Sequence, residues 1–350
     1  MHGLIFSGPA DVRFADDLPD PTLRGSGEAI VAVDAAGLCG SDLHPYEGRE
    51  AARGDVVPGH EAVGRVLQVG TGVRGFVPGD RVLVPFTTCC GRCAACARGL
   101  SARCAHGQLF GWGDPDDPTA EPLHGGQAER LRVPLADGTL VALPPGRSLL
   151  DGVLLADNLP TGWTAVERLG EVAGQTVVVL GLGAVGLCAV WAARRLGAAA
   201  VIAVDPVPAR RGRAERLGAV AVSPDGAATL AAEVAPDGVT GVVEAAGTAA
   251  AQRAAASLVR PGGTISLIAV QTAAHLGFSA VTLYDRNLTV VSGRASVRSL
   301  LERLLPGLDG VTLPTDVVVS HPELPLSDGP GAYATFAARG DGLVKAVFRP

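Results

Sequence analysis

The run from Thr176 to Gly186, Thr-Val-Val-Val-Leu-Gly-Leu-Gly-Ala-Val-Gly, constrains the fold of this chain more than any other stretch. Its β-branched opening reads as a buried strand and its glycines as a tight turn. Residues 184–196 then read as a helix stopped by Gly197, with Arg194 and Arg195 in the last turn, where positive charge suits the carbonyl end of the helix dipole. Residues 200–205 read as a second strand that ends in Asp205. The pattern suits a dinucleotide. Gly181 permits the turn, Gly183 lets backbone approach a pyrophosphate, and Gly186 lets helix pack on strand. Amides of Ala184, Val185 and Gly186 at the helix start can take the phosphates, and Asp205 two ribose hydroxyls.

Glycine spacing alone is weak, because 47 glycines in 350 residues produce about one such match by accident. A second match does occur, Gly70-Thr-Gly72-Val-Arg-Gly75, but Pro78 and Gly79 follow and cannot open a helix. It is expected to be a turn between strands. Only the match at Gly181 has a strand before it, a helix after it and an acid beyond.

A length of 350 residues predicts two domains, and a net charge of −6 argues against nucleic acid or an anionic membrane as partner. Residues 176–193 are long and uncharged enough to suggest a membrane span, but the glycines divide them into strand, turn and helix. With no basic region at the amino terminus, a cytoplasmic protein is expected. Lys345 is the only lysine among 29 basic residues.

Up to residue 84 the chain shows short strands at 3–6, 28–35, 62–69 and 80–84, punctuated by Gly and Pro, which predict a mostly antiparallel β unit. Strand-like alternation returns at 125–144. Residues 151–170 read as helical, interrupted by Pro160 and Gly162. From 175 to about 294 strand and helix alternate, the signature of a doubly wound parallel sheet. A helix at 297–305 comes next, and the tail is expected to be short strands.

Five of the seven cysteines lie between Cys89 and Cys104. Cys90-x-x-Cys93-x-x-Cys96-x7-Cys104 offers four thiolates from one loop, a spacing that chance would give with probability on the order of 10⁻⁴. In a reducing compartment this favours tetrahedral zinc over disulfides. Four sulfurs leave no open position, so such a zinc would be structural. Its net −2 charge would be offset by Arg92, Arg98 and Arg103, with Cys89 left as a bystander.

Cys39-Gly-Ser41-Asp42-Leu-His44 and Gly59-His60-Glu61 offer a second thiol and imidazole about twenty residues apart. Spacing alone leaves open whether these are metal ligands or a buried thiol and a core histidine.

Together these pieces resemble the zinc-dependent medium-chain alcohol dehydrogenase family along the whole chain. They are Gly37-Leu-Cys39-Gly-Ser41-Asp42-Leu-His44, Gly59-His60-Glu61-x-x-Gly64, Gly79-Asp80-Arg81-Val82, the four-cysteine lobe and the Gly181 turn. The resemblance implies a GroES-like, mostly antiparallel β catalytic domain (1–152 and 296–350, with the zinc lobe at 89–104) and a Rossmann doubly wound domain (153–295). It implies Cys39 and His60 as ligands of a catalytic zinc, with the third ligand at Asp157, where many relatives carry cysteine. That aspartate, with Leu123-His-Gly-Gly-Gln-Ala-Glu129, is similar to the branch containing glutathione-independent formaldehyde dehydrogenases. One thiolate and one carboxylate would leave the zinc site neutral, so Glu61 is expected beside the metal rather than permanently on it.

The implied reaction is hydride transfer between an alcohol or aldehyde and NAD, zinc stabilising the alkoxide, with Ser41 and His44 relaying the proton and Asp42 orienting His60. Thr161, Ile268, Val270 and Arg294 are expected on the cofactor side, and Lys345 on a phosphate. Gly40 stands where some relatives carry a basic residue for that purpose. Asp205 favours NAD over NADP, although Arg210 and Arg211 could accept a 2′-phosphate. Tyr46, Trp112, Trp163 and Leu283 are candidates to line the substrate pocket. A homodimer or homotetramer is implied, built by extending the dinucleotide sheet. Alternatives are a dismutase that retains NAD, a polyol or specialised-metabolite dehydrogenase, and a catalytically silent NAD-binding protein.

Overall fold

The computed structural model describes residues 1–52, 54–113, 121–340 and 342–350. They form two compact units, one of Met1–Asp157, Ser296–Thr315 and Val319–Pro350, the other of Asn158–Ala295 and Asp316–Val318.

The second unit is built on six parallel strands. In spatial order they are Val220–Val222, Ala200–Val204, Thr176–Leu180, Val239–Glu244, Val259–Leu267 and Thr289–Ser292. Numbered along the chain from Thr176–Leu180, the order is 3-2-1-4-5-6, the doubly wound dinucleotide topology. Val177, Val178 and Val179 are fully buried, because helices cover both faces of a parallel sheet and its strands are apolar throughout. The helix Ala184–Arg195 starts at Gly183 and carries Arg194 and Arg195 in its last turn. Gly181 takes a φ of +90°, and a Cβ at Gly186 would lie 1.8 Å from the Gly181 carbonyl oxygen, so neither position accepts another residue without distortion.

In the first unit a seven-stranded sheet carries the order His321–Pro325, Ala346–Arg349, Ala29–Leu38, Ala62–Val69, Arg81–Val84, Val141–Ala142, and Arg130–Val133 also pairs with Ala29–Leu38. Its pairings are antiparallel except between His321–Pro325 and Ala346–Arg349. A two-stranded ribbon, Gly3–Gly8 with Asp11–Ala15, stands apart from that sheet. Register decides which side chains meet. Ala36 faces Ala62 and Leu38 faces Ala346, so Cys39, His60-Glu61 and Lys345 emerge together at one end of three neighbouring strands.

Three local expectations need correction. The helix of residues 151–170 is interrupted at Asp157 (φ −153°, ψ −68°), between the helices Leu149–Ala156 and Asn158–Glu167. Pro160 sits in the first turn of the second helix, where its missing N–H costs nothing. Residues 125–144 hold a helical turn, Ala136–Thr139, between short strands. The carboxyl-terminal region contains a helix, Gly329–Ala337, whose Pro330 lies in the first turn and whose Tyr333 and Phe336 are buried. Residues 70–75 form a turn leading out of Ala62–Val69, as expected. Among the described residues no helix is long and apolar enough to cross a membrane.

Candidate active site and metal centres

Cys39 terminates the long strand Ala29–Leu38 and starts the 3₁₀ turn Gly40–Asp42, where the Asp42 carboxylate accepts the Cys39 N–H at 2.9 Å. This hydrogen bond closes the turn that follows the strand and holds the backbone that carries the thiol. The break at Asp157 brings its carboxylate to the same point. Cys39 Sγ lies 3.7 Å from Asp157 Oδ2, and His60 Nε2 lies 3.9 Å from that same oxygen. The ligand atoms of Cys39, His60, Glu61 and Asp157 all fall within 4.8 Å of one another. A tetrahedral zinc, with Zn–S near 2.3 Å and Zn–O or Zn–N near 2.1 Å, needs donor separations of roughly 3.4–3.7 Å. The donor set and its spacing fit that ion.

His60 is oriented from behind. Its Nδ1 lies 3.0 Å from Asp42 Oδ1, which leaves Nε2 facing Cys39 and Asp157. Burial pulls the imidazole pKa down, but the Asp42 charge and hydrogen bond, helped by Cys39, hold it well above its ordinary value. Asp42 is itself fixed: Oδ2 accepts from the Cys39 N–H and, at 3.4 Å, from Gln127 Nε2. Gln127 also donates to the Gly37 carbonyl at 3.0 Å and accepts from the Tyr333 hydroxyl at 2.9 Å. Gln127 is completely buried, and in the sequence it stands out only within the Gly-Gly-Gln-Ala-Glu likeness.

Glu61 is fully buried and pairs with Lys345 Nζ, also fully buried. Burial raises the glutamate, but the ammonium beside it and then His60 bring it below its usual value; Lys345 is raised in turn by Glu61 against burial. The expected phosphate contact of Lys345 is thus replaced by an inward one. Gly37 makes the room, since a Cβ there would come within 1.9 Å of Glu61 Oε2. Asp157, buried and next to the Glu61 charge, is raised to about 6. Burial followed by the Glu61 charge raises the Cys39 thiol.

Ser41 Oγ lies 3.2 Å from His60 Nε2, beside the donor cluster. His44 is buried in the short helix Leu43–Tyr46; its Nδ1 finds no hydrogen-bond partner among the described residues and stands 3.7 Å from Glu50 Oε2. The Tyr46 ring lies 5.4 Å from that of Tyr333, tilted by 45° to it.

The four cysteines of the lobe also converge. Cys93 Sγ is 3.6 Å from Cys96 Sγ and 3.9 Å from Cys104 Sγ, against roughly 3.8 Å between sulfurs of a tetrahedral zinc tetrathiolate. The N–H groups of Cys90 and His106 point at Cys104 Sγ, at 3.2 and 3.4 Å. Arg92, Arg98 and Arg103, expected to offset the charge of the lobe, are exposed. Cys89 turns away and donates to the Gly138 carbonyl at 2.8 Å.

In the second unit, Gly183 caps its helix without a side-chain hydrogen bond, and a Cβ built there would meet nothing within 4 Å. Asp205 is buried at the end of its strand. It accepts the Leu182 and Val207 N–H groups, each at 2.8 Å, and lies 3.8 Å from Arg210 Nη1. Arg211 donates to the carbonyls of Asp205 and Pro206. These features fit a dinucleotide. Thr161 and Ile268 are buried, while Val270 and Arg294 are exposed.

Residues 25–145 match the family described as alcohol dehydrogenase GroES-like domain, and residues 184–305 match zinc-binding dehydrogenase. A protein of Mycobacterium tuberculosis named "Probable zinc-binding alcohol dehydrogenase" is 38% identical over the whole of this chain and 89% of its own length. The glutathione-independent formaldehyde dehydrogenase of Pseudomonas aeruginosa is 34% identical over 62% of this chain and 57% of its own. Among solved structures, an alcohol dehydrogenase from Thermus sp. ATN1 superposes with a TM-score of 0.90 at 33% identity, covering 100% of this chain and 99% of that one.

Proposed function

The chain belongs to the zinc-dependent medium-chain alcohol dehydrogenase family and is a zinc-dependent oxidoreductase of alcohols or aldehydes; on that premise we propose its ligands, cofactor and proton path. Cys39, His60 and Asp157 hold a catalytic zinc, Cys90, Cys93, Cys96 and Cys104 a structural one, and the nicotinamide cofactor is NAD. The observation that carries the reading is the convergence of the Cys39, His60 and Asp157 donors beside a Glu61 already offset by Lys345; a Cys39 thiolate and the Asp157 carboxylate would then offset a divalent ion. When bound, zinc supplies a Lewis acid for the substrate oxygen and the nicotinamide a hydride acceptor.

This chain's residues do the rest. Asp42 holds the His60 tautomer that presents Nε2 to the cluster, and Lys345 keeps Glu61 off it. Ser41 receives the substrate hydroxyl proton and His44 passes it toward Glu50 and solvent. Gly181, Gly183, Ala184, Val185 and Gly186 take the pyrophosphate and Asp205 the ribose, with Thr161, Ile268, Val270 and Arg294 toward the nicotinamide. Asp205 disfavours a 2′-phosphate, and Arg211 is already engaged with backbone carbonyls, which supports NAD over NADP. Arg210 keeps the Asp205 carboxylate in place. The protein works in the cytoplasm as a homodimer or homotetramer.

A panel of alcohols and aldehydes with NAD and NADP, followed at the nicotinamide absorbance band, tests this. The reading requires turnover with NAD; turnover with NADP alone overturns the cofactor assignment, and none with either overturns the reaction. Coenzyme that survives purification, with disproportionation of formaldehyde, selects the dismutase variant.

A further inference from the structure

Glu244 is a completely buried carboxylate that the proposed chemistry does not use. It ends the strand Val239–Glu244, an interior strand beside Thr176–Leu180, at the carboxyl end of the sheet that carries the Gly181 turn. Its Oε1 accepts the N–H groups of Ala246 at 2.9 Å and Gly247 at 2.7 Å. Ala246 lies directly against the glycine turn: a Cβ at Gly181 would be 2.8 Å from its nitrogen. On the other side, Glu244 Oε2 accepts from Gln271 Nε2 at 3.4 Å. Gln271 Oε1 accepts from Gln252 Nε2 at 2.6 Å, and Gln252 Oε1 accepts the Gly277 N–H. Gln252 is buried, and Gln271 Nε2 also holds the Ala269 carbonyl at 3.0 Å.

The chain of amides has a direction. A carboxylate can only accept, so it presents the Gln271 NH₂ inward and its carbonyl outward; that in turn points the Gln252 NH₂ at Gln271 and its carbonyl at Gly277. Burial pushes the Glu244 carboxyl up, and the N–H groups of Gly247 and Ala246 pull it back. One acid therefore ties together three strand-end loops, residues 181–186, 245–248 and 269–277, on the edge where a doubly wound sheet binds its ligand.

We propose that Glu244 is a positioning residue for the nicotinamide coenzyme: through Ala246 and Gly247 it backs the phosphate turn, and through Gln271 and Gln252 it orders the 269–277 loop beside it. The proposal rests on the coenzyme site described above. Glu244→Gln removes the directional anchor, because its NH₂ would face that of Gln271. The dissociation constant for NADH, measured by nicotinamide fluorescence, should rise about tenfold, the effect of losing one charge-assisted hydrogen bond. Deuterium uptake in 269–277 of the coenzyme-free protein should rise with it, while zinc content and kcat at saturating coenzyme stay as in the wild type.

The double variant Glu244→Gln/Gln271→Glu restores the direction between these two side chains: the amide introduced at position 244 donates to the acid introduced at position 271, and Gln252 still donates to that acid, while the bond to the Ala269 carbonyl is given up. It should recover part of the affinity. Should Glu244→Gln not fold, Gln271→Met cuts the same chain at its half-buried link and must raise both the dissociation constant and the uptake. Unchanged NADH affinity in whichever single variant folds, or a double variant no better than Glu244→Gln, overturns the proposal. A wild type that binds neither NADH nor NADPH would instead overturn the coenzyme reading itself.

Discussion

Replacing Lys345 by methionine isolates the contribution of the buried Glu61–Lys345 pair. Both side chains are fully excluded from solvent, so in the metal-free protein the remaining carboxylate would lose its ammonium partner with no water to take its place. Two unit charges at ~4 Å attract by about 4 kcal/mol at an effective dielectric of ~20, and removing one member of a buried pair typically destabilises by about 3–5 kcal/mol. At roughly 2–4 °C per kcal/mol, melting should fall by roughly 6–20 °C. Glu61→Gln should cost a similar amount, leaving an unpaired ammonium, but the double variant Glu61→Gln/Lys345→Met should cost far less than the two singles summed. Calorimetry on all four proteins gives the coupling, expected at about 3 kcal/mol. Additivity to within about 0.5 kcal/mol would refute the reasoning, because contacting charges cannot be independent. Sign follows from the pKa directions. Glu61 is lowered, so its contribution is present above its ordinary 4.5 and lost as pH falls below that; Lys345 is raised, so its contribution is present below 10.5 and lost at higher pH. Between those limits the coupling should not change with pH. In Lys345→Met the released Glu61 carboxylate is also free to join the donor cluster, so kcat should fall while zinc is retained.

Zinc uptake by metal-free protein should weaken as pH drops through about 6, where Asp157 takes up a proton, and isothermal titration in buffers of different ionisation enthalpy should register proton release on binding. Cys93→Ser should lose one zinc per chain and destabilise the first unit without removing the second metal, as metal analysis with thermal unfolding would register. Asp205→Ala should narrow the preference for NAD over NADP; an unaltered ratio of kcat/KM would count against its assignment to the ribose. Gln127→Leu removes one of the two donors to Asp42 Oδ2 and strands the Tyr333 hydroxyl, so the pH profile of kcat should shift along with a loss of stability.

What the chain discloses before folding is whatever is local. The Gly181 turn, its flanking strands and Asp205 lie within thirty residues and announce their sheet by composition alone; the four-cysteine loop does the same for its metal. The pairing of Glu61 with Lys345 spans 284 positions and depends on which strand lies next to which, so no spacing encodes it, and a lone lysine invites a surface role. The register that sets Leu38 against Ala346 is what joins them. Asp157 is legible only through family resemblance, because the obvious helix breaker nearby is Pro160, a residue that the first turn of a helix tolerates. The helix Gly329–Ala337 is hidden because two glycines and a proline mask its apolar face, although Tyr333 on it reaches the network behind His60.

Whether Cys39, His60 and Asp157 share one metal ion is tested most directly by a crystal of the zinc-loaded protein, with anomalous data collected on both sides of the zinc absorption edge. Two peaks per chain are predicted, one bonded to Cys39 Sγ, His60 Nε2 and an Asp157 oxygen with Glu61 still on Lys345, the other within the four thiolates of the lobe. A single peak in the lobe, or a first ion held by Glu61 with Asp157 turned away, would contradict that assignment.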